Sequence, residues 1–267
     1  MTTRTINCHR TSRVIERGES LAGTPPVSTK VFFDRDNGIQ GLTWALHGSV
    51  QPLSVNDRLL LKRAAGSVTE FNEWMRGRGG VDVDVSFMKL IVTGQRQAGV
   101  AIIDMRAKID HCGAPLIGAL LYGPPEGEQG NTQIGFDLDD SVPVARQVNS
   151  DKSFGDRDYL GRDYFKTNTT PLALGQDEVF SIVATTRSRY CVWYIDLGVF
   201  VDGHRQDITI GYKPEGNQGQ KPFEVTARAD LRNGEKGSFS IYRELYVLDR
   251  RHDPAGFVPA DPRTYAP

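Results

Sequence analysis

The segment from residue 81 to residue 248 is a series of short apolar runs separated by turn-forming residues. The first run sets apolar side chains at every second position, at Val81, Val83, Val85 and Phe87. Side chains on a β-strand point alternately to opposite faces, so this period of two predicts a strand with one buried face. Repeated short runs of this kind predict a mainly β fold, and specifically an antiparallel β-sandwich.

The strongest strand signals lie in the runs 178–185 and 190–201, which are rich in aromatic and β-branched residues. The second run is followed by Asp202 and Gly203, and then by a further apolar run over 206–212. A tight two-residue turn between antiparallel strands requires positive φ angles, which glycine adopts freely. The pattern therefore predicts a β-hairpin around Asp202-Gly203.

One short N-terminal helical segment is predicted near residues 54–77. Phe71, Trp74 and Met75 have the spacing of a single helix face and form an apolar stripe. A Ser-x-x-Glu pattern that begins at Ser67 predicts a capping box at the start of this stripe. Apolar stripes usually face a core, which favours a helix packed on the sandwich over a partner-binding helix.

The sequence predicts one domain between two flanking segments. Residues 1–30 are polar and predict a disordered leader. Residues 31–250 carry the strand runs and the helical segment, and predict a single β-sandwich-like domain. Residues 251–267 contain four prolines and predict an irregular tail.

The charge balance argues against a nucleic-acid partner. Lys and Arg together number 32 and Asp and Glu number 33, which gives a formal net charge of -1, whereas nucleic-acid-binding proteins usually carry a basic excess. No run approaches the roughly 18 consecutive apolar residues of a membrane-spanning helix, and the N-terminal segment lacks the apolar stretch of a signal peptide. We therefore expect a soluble chain without a membrane span, cytoplasmic by default and extracytoplasmic if an upstream anchor is missing.

The three cysteines, Cys8, Cys112 and Cys191, are too few and too widely spaced to form a disulfide framework. No Cys-x-x-Cys pair is present, which argues against a cysteine-rich zinc site. Two alternatives stay open for Cys112 and Cys191, namely free buried thiols or a disulfide formed in an oxidising compartment.

No sequence motif for catalysis is present, whether a nucleophile elbow, a phosphate-binding loop or a zinc-protease helix. The best metal candidate is the cluster Asp137, Asp139 and Asp140. Closely spaced carboxylates supply the oxygen ligands that calcium prefers, and no other cofactor is expected. The competing interpretation is a solvated, acidic strand end.

A second candidate site is the tyrosine- and arginine-rich stretch that includes Arg157, Tyr159, Arg162 and Tyr164. These residue types are enriched at protein-interaction hot spots, so we predict contacts with a protein partner. Aspartates match the basic residues in number, so the stretch is locally neutral and unsuited to nucleic acid. The competing interpretation is an ordinary exposed loop.

Three motifs in the middle of the chain carry a resemblance to a known family. They are Trp74 with Gly79-Gly80-Val81, Gly135-Phe136-Asp137-Leu138-Asp139-Asp140 with Pro143-Val144-Ala145-Arg146, and the sequence LALGQDEVF at 172–180 with Tyr190-Cys191-Val192-Trp193. Over residues 65–230 the chain resembles an uncharacterised actinobacterial family with a C-terminal β-sandwich-like domain. The resemblance implies this fold but no catalytic residues. Family members often carry the domain after a transmembrane helix, which this sequence lacks.

These observations favour a non-enzymatic binding or structural module that recognises a protein partner through loops at the ends of the sandwich. One alternative is a metal-dependent hydrolase that uses Asp137, Asp139 or Asp140, which requires a pocket where these carboxylates meet a histidine. The other alternative is the sensor domain of an envelope protein.

Overall fold

The computed structural model describes residues 25–33, 41–124, 133–152, 156, 158–213, 219–232, 235–236, 239–251 and 253–266. The described residues form eighteen β-strands and two α-helices, which confirms the prediction of a mainly β fold. In chain order the strands are β1 (Val27–Phe33), β2 (Trp44–Ala45), β3 (Val81–Val83), β4 (Val85–Gly94), β5 (Val100–Gly113), β6 (Ala119–Tyr122), β7 (Ile134–Asp137), β8 (Arg146–Val148), β9 (Leu160–Asp163), β10 (Thr170–Leu172), β11 (Asp177–Thr185), β12 (Tyr190–Val201), β13 (His204–Ile210), β14 (Phe223–Thr226), β15 (Leu231–Arg232), β16 (Glu235–Lys236), β17 (Glu244–Asp249) and β18 (Gly256–Ala260).

Two large sheets contain most of the strands. The first sheet has six strands in the order β1-β4-β11-β7-β8-β9. The second has ten, in the order β10-β5-β12-β14-β3-β2-β6-β17-β18, with β13 paired to the second half of β12. Most pairs are antiparallel, but β7 with β11, β3 with β14, and β6 with β17 are parallel. The sheets are therefore mixed rather than purely antiparallel. The three parallel pairs all join strands that are distant in sequence.

The main core lies between the first sheet and one half of the second sheet. Its largest side chain is that of Trp193 on β12, whose ring centroid lies 4.9 Å from that of Phe223 and 5.7 Å from that of Phe136. Phe136 belongs to the first sheet and Phe223 to the second, so aromatic rings from both layers interlock around this tryptophan. This packing of two sheets is the sandwich-like part of the fold.

The other half of the second sheet is covered by the helices α1 (Val55–Lys62) and α2 (Val68–Gly77). Phe71 of α2 is fully buried and stacks on Phe257 of β18 at 5.3 Å between ring centroids. The predicted packing of the apolar stripe on the sheet is thus confirmed. The predicted single helical segment is instead two helices, separated by a 3-10 turn over Ala64–Gly66.

The capping box lies at α1 rather than α2. Ser54 accepts a hydrogen bond from the backbone N–H of Asp57, and the Asp57 side chain accepts one from the backbone N–H of Ser54. Ser67 makes no side-chain capping hydrogen bond, and Glu70 instead pairs with Arg63. The predicted capping box at Ser67 is therefore wrong.

Two strands lie wholly or partly within the segments that the sequence predicts to flank the domain. Strand β1 begins at Val27, inside the predicted leader, and pairs along its whole length with β4. Strand β18 lies inside the predicted tail, where it pairs with β17 and supplies Phe257 to the helix-covered core. These pairings order residues that composition alone assigned to irregular segments; residues 1–24 of the predicted leader lie outside the described residues.

The alternating run 81–87 is not one strand. Asp84 has φ 62, in the left-handed region, and there the chain passes from β3 in the second sheet to β4 in the first. Both sheets cover this crossing, so the polar Asp82 and Ser86 are buried and hydrogen-bond to each other. The predicted Asp202-Gly203 hairpin is confirmed: Val201 pairs with His204, and both turn residues have positive φ.

Candidate functional site

Asp139 fastens the end of β7 to the turn between β11 and β12. Its carboxylate accepts hydrogen bonds from the backbone N–H of Arg187 at 2.6 Å, from Ser188 Oγ at 2.9 Å, from Thr186 Oγ1 at 3.0 Å and from Arg189 Nε at 3.1 Å. Burial raises the pKa of Asp139, but these donors outweigh burial and the net pKa is lowered.

The other two acidic residues of the cluster also have protein partners. Asp140 pairs with Arg146 at 2.6 Å, and an oxygen of Asp137 accepts the backbone N–H of Asp139 at 3.0 Å. Burial raises the pKa of Asp137. Over the described ranges no group of three or more His, Cys, Asp or Glu side chains is arranged to hold a metal ion. Calcium binding by these residues stays a prediction, and their contacts are those of a structural clamp.

The tyrosine- and arginine-rich stretch is only partly exposed. Tyr159 is 4% exposed and packs with Phe87, Val148 and Val183 on the outer face of the first sheet. The Tyr159 ring therefore fills a small core of its own, and contact of Tyr159 with a partner stays a prediction. Arg157 lies outside the described residues.

Of the remaining members of that stretch, Arg162 lies on β9 and Tyr164 directly follows this strand. Arg162 is exposed, whereas Tyr164 is half-buried against the main core with its ring 5.0 Å from that of Phe165. The backbone N–H of Tyr164 donates to the carbonyl oxygen of Ala145 at 2.7 Å. Among the described members of the stretch, Arg162 is the side chain that a partner could reach without rearrangement.

A concave surface with a volume of about 770 Å³ lies at the end of the sandwich where β5 and β11 begin and β12 ends. Three segments that are distant in sequence form it. They are the loop and strand start at 97–101, the strand end at 171–173 with Gln176, and the hairpin end at 200–203. We call this surface the apolar end.

Leu174 lies at the corner of the turn that borders the apolar end. The backbone N–H of Gln176 donates to the carbonyl oxygen of Ala173 at 3.1 Å, and Gly175 has φ 74. A positive φ at the third residue is the requirement of a type II turn, which places the second residue at the exposed corner. Leu174 is accordingly 59% exposed.

Phe200 supplies an aromatic ring to the apolar end. It lies between Val199 and Val201 on β12, and both valines face the core while Phe200 faces outward and is 47% exposed. Opposite Phe200 are Ala101 on β5 and Arg205 on β13. Arg205 is held by Asp104 at 2.9 Å and Asp207 at 2.7 Å, so its charge is matched within the protein.

A buried ionic network lies where β14 ends. Arg228 pairs with Asp230 at 2.5 Å, and the hydroxyl of Tyr242 donates to the same carboxylate at 3.1 Å. The Asp84 side chain accepts the backbone N–H of Arg228 at 2.7 Å. Burial raises the pKa of Asp84 to about 6, with the nearby charge of Asp230 adding to the rise. Its contacts are internal, which is typical of a structural network.

Cys112 and Cys191 form a disulfide. They are directly opposite residues on β5 and β12, the second and third strands from one edge of the second sheet. This resolves the alternatives that the sequence leaves open for these two thiols. Such bonds persist mainly in oxidising compartments.

Together these features define a mainly β, sandwich-like domain with a two-helix cover, an internal disulfide and an apolar end. No protein-family model matches the chain, and neither does any curated protein or solved structure. The resemblance to an actinobacterial family stays a prediction. In the described part of the chain, none of the helices is long and apolar enough to cross a membrane.

The exposure of Leu174 and Phe200 at this end of the sandwich was not predicted from the sequence. Both had a signal: Leu174 precedes a turn-forming glycine, and Phe200 takes the outward position of a strand with period two. The nearby loop and strand start at 97–101 gave no such signal, because it joins the surface only through the pairing of β5 with β12.

Proposed function

We propose that the protein is a non-enzymatic binding module that takes a protein partner at the apolar end. The observation that carries the proposal is the exposed ring of Phe200 on this concave surface, with the exposed side chain of Leu174 on the turn that borders it. Aromatic and aliphatic side chains supply much of the free energy of protein association, about 1.5–3 kcal/mol for each one removed from water. Interface centres are also depleted in charged residues, and the charge of Arg205 is already matched internally.

The disulfide supports a location outside the cytoplasm for this module. A cross-strand bond between β5 and β12 suits a domain that folds and works in an oxidising compartment. This supports the envelope-sensor alternative as a setting for the binding module.

The structure gives less support to the hydrolase alternative than to the binding module. Asp139 and Asp140 contact arginines, hydroxyl groups and a backbone N–H, whereas a metal hydrolase needs carboxylates that converge with a histidine in a pocket. Calorimetric titration of calcium into metal-free protein tests that alternative, and binding at millimolar metal that is lost in Asp137→Asn would revive it.

The test of partner binding compares proteins captured from an extract of the native source. The baits are the full-length wild type, the double variant Leu174→Ser/Phe200→Ser, and the control Leu59→Ser, which changes an exposed leucine on α1. We expect at least one protein captured by the wild type and the control to be reduced about tenfold or more with the double variant, the effect of losing about 1.4 kcal/mol. Quantitative mass spectrometry measures that ratio.

Both variants change only exposed side chains, so the circular dichroism spectra and melting temperatures of the three baits should agree closely. If the captured proteins are the same for the wild type, the control and the folded double variant, the apolar end is not the binding surface.

A further inference from the structure

A second concave site lies where the sandwich meets its helical cover. It is a partly open cavity of about 50 Å³. The side chains that matter here are those of Phe33 on β1, Trp44 on β2, Arg76 on α2, Asp82 on β3, Tyr212 after β13 and Glu224 on β14. This cavity shares no lining residue with the apolar end, so ligand binding here does not depend on the proposed partner site.

Arg76 places a positive charge at the cavity, and at least one of its guanidinium nitrogens has no hydrogen-bond acceptor among the described residues. Its guanidinium carbon lies 4.0 Å from the ring centroid of Phe33 and 5.6 Å from that of Trp44, so two aromatic rings hold it in place. Its Nη2 atom is buried and has no hydrogen-bond partner among the described residues. A buried donor of this kind is costly unless an acceptor reaches it, and a carboxylate matches a guanidinium best.

The opposite charge is also present on the cavity wall. Asp82 is 4% exposed and is hydrogen-bonded by Ser86, and Glu224 lies beside it on the neighbouring strand. Burial raises the pKa of Tyr212, and the charges of Glu224 and Asp82 raise it further while Arg76 lowers it. The phenol therefore keeps its proton and can donate to a ligand. The Glu224 carboxylate accepts a hydrogen bond from the Tyr190 hydroxyl at 2.6 Å, so we assign to Asp82 the carboxylate that opposes a simple anion and attracts an ammonium group.

We propose that this cavity binds a small free α-amino acid. The α-carboxylate pairs with Arg76 and the α-ammonium faces Asp82, with Phe33 and Trp44 fixing the guanidinium between them. A water-sized group needs about 10–15 Å³ of such space, so a cavity of about 50 Å³ fits a ligand of the size of glycine or alanine. An amino acid held here at the junction of sandwich and helices is a ligand class suited to a sensor domain.

The test is isothermal titration of the full-length protein with four probes, namely glycine, alanine, acetate and methylammonium. We expect glycine or alanine to bind with a Kd of about 1 mM or tighter, and acetate and methylammonium to bind at least tenfold more weakly. Glycine and alanine carry both an ammonium and a carboxylate, whereas acetate carries only the carboxylate and methylammonium only the ammonium. The comparison therefore distinguishes an amino-acid site from an anion site.

Two variants locate the site. Arg76→Met keeps the aliphatic stem between the aromatic rings and should weaken glycine binding at least tenfold, whereas the control Arg63→Met, at the exposed start of the 3-10 turn, should not. Asp82→Asn should weaken glycine at least tenfold but leave acetate as weak as before or bind it better. Melting curves without ligand confirm that each variant is folded, and Tyr212→Phe provides a further variant if Asp82→Asn is not.

Three results would overturn the proposal. They are the absence of binding by any amino-acid probe at about 10 mM, equal binding of acetate and glycine by the wild type, and unchanged glycine binding by folded Arg76→Met.

Discussion

Asp84 combines a left-handed backbone conformation with a raised side-chain pKa. Its φ of 62 is uncommon for a residue with a side chain, and its backbone N–H donates to the carbonyl oxygen of Thr226 at 2.7 Å. Its side chain is half-buried and accepts a hydrogen bond from the backbone N–H of Arg228. The residue therefore joins the crossing between the two sheets to the end of β14, and its role is structural.

The raised pKa of Asp84 predicts a pH-dependent stability. The folded protein binds the proton more tightly than the unfolded chain, so the free energy of unfolding falls as the pH rises from about 4 to about 6. A shift of about two units corresponds to roughly 3 kcal/mol. Asp84→Asn keeps a left-handed backbone and an acceptor for Arg228 but loses the charge, so it should lack this fall.

Urea unfolding at a series of pH values between 4 and 8 measures the effect. The stability of Asp84→Asn relative to the wild type should increase over that interval, while Asp158→Asn, a change at an exposed aspartate, should show no such trend. A difference between Asp84→Asn and the wild type that is constant with pH contradicts the assignment.

At this scale, residue types alone did not predict the contacts that the candidate site residues make. Tyr159 has the composition of a hot spot, but its neighbours Phe87 and Val183 come from strands that the sequence does not place beside it. Asp139 has the composition of a metal ligand, but its donors lie near residue 187, on a turn distant in sequence. In both cases the deciding contacts are long-range, and local patterns carry no information about them.

At the scale of elements, the capping box of α1 depends on the most local contacts and is the easiest feature to test. Ser54→Ala removes one half of the observed capping box and should lower the free energy of unfolding by about 1 kcal/mol. Ser67→Ala is the matched control, since Ser67 precedes a helix without making a capping hydrogen bond. Chemical denaturation of both variants gives the comparison, and an equal loss in the two would contradict the assignment of the cap.

The disulfide between β5 and β12 is the second device at this scale. The sequence separation of its cysteines is 79 residues, and a loop of that length predicts a stabilisation of about 4 kcal/mol. Reduction, or Cys112→Ala/Cys191→Ala, should lower the stability by that order. The control is Cys8→Ser, because Cys8 lies outside the described residues and has no place in the bond. Free thiols at both positions in protein isolated from its native compartment would contradict the bond.

Elements with strong local signals were predictable. The hairpin at Asp202-Gly203 and the strands β5, β11 and β12 follow from period, β-branched content and turn chemistry. The assignment of strands to sheets was not predictable, since the single crossing at Asp84 sends neighbouring strands to opposite layers. The short strand β18 was missed because Pro259 within it and the prolines on either side favour an irregular segment, although it pairs at the edge of the second sheet.

At the scale of the whole molecule, one long sheet contributes to three cores. Its first half packs on the other sheet, one face of its second half packs on the helices, and the opposite face packs on a cluster that includes Phe239 and Tyr242. The sandwich and its cover therefore form a continuous structure. The apolar end and the cavity at Arg76 both form where elements distant in sequence meet. Neither could be predicted from the sequence, because each depends on which strands lie side by side.

Site-specific photo-crosslinking measures partner binding at the apolar end most directly. The photoreactive residue p-benzoylphenylalanine replaces Phe200 or Leu174 in one set of proteins and Leu59 in the control, and the native source is irradiated while it expresses them. Positions 200 and 174 should yield the same discrete covalent adduct to one protein, and position 59 should not. Adducts at position 59 alone, or no adduct at 200 and 174, would contradict binding at the apolar end.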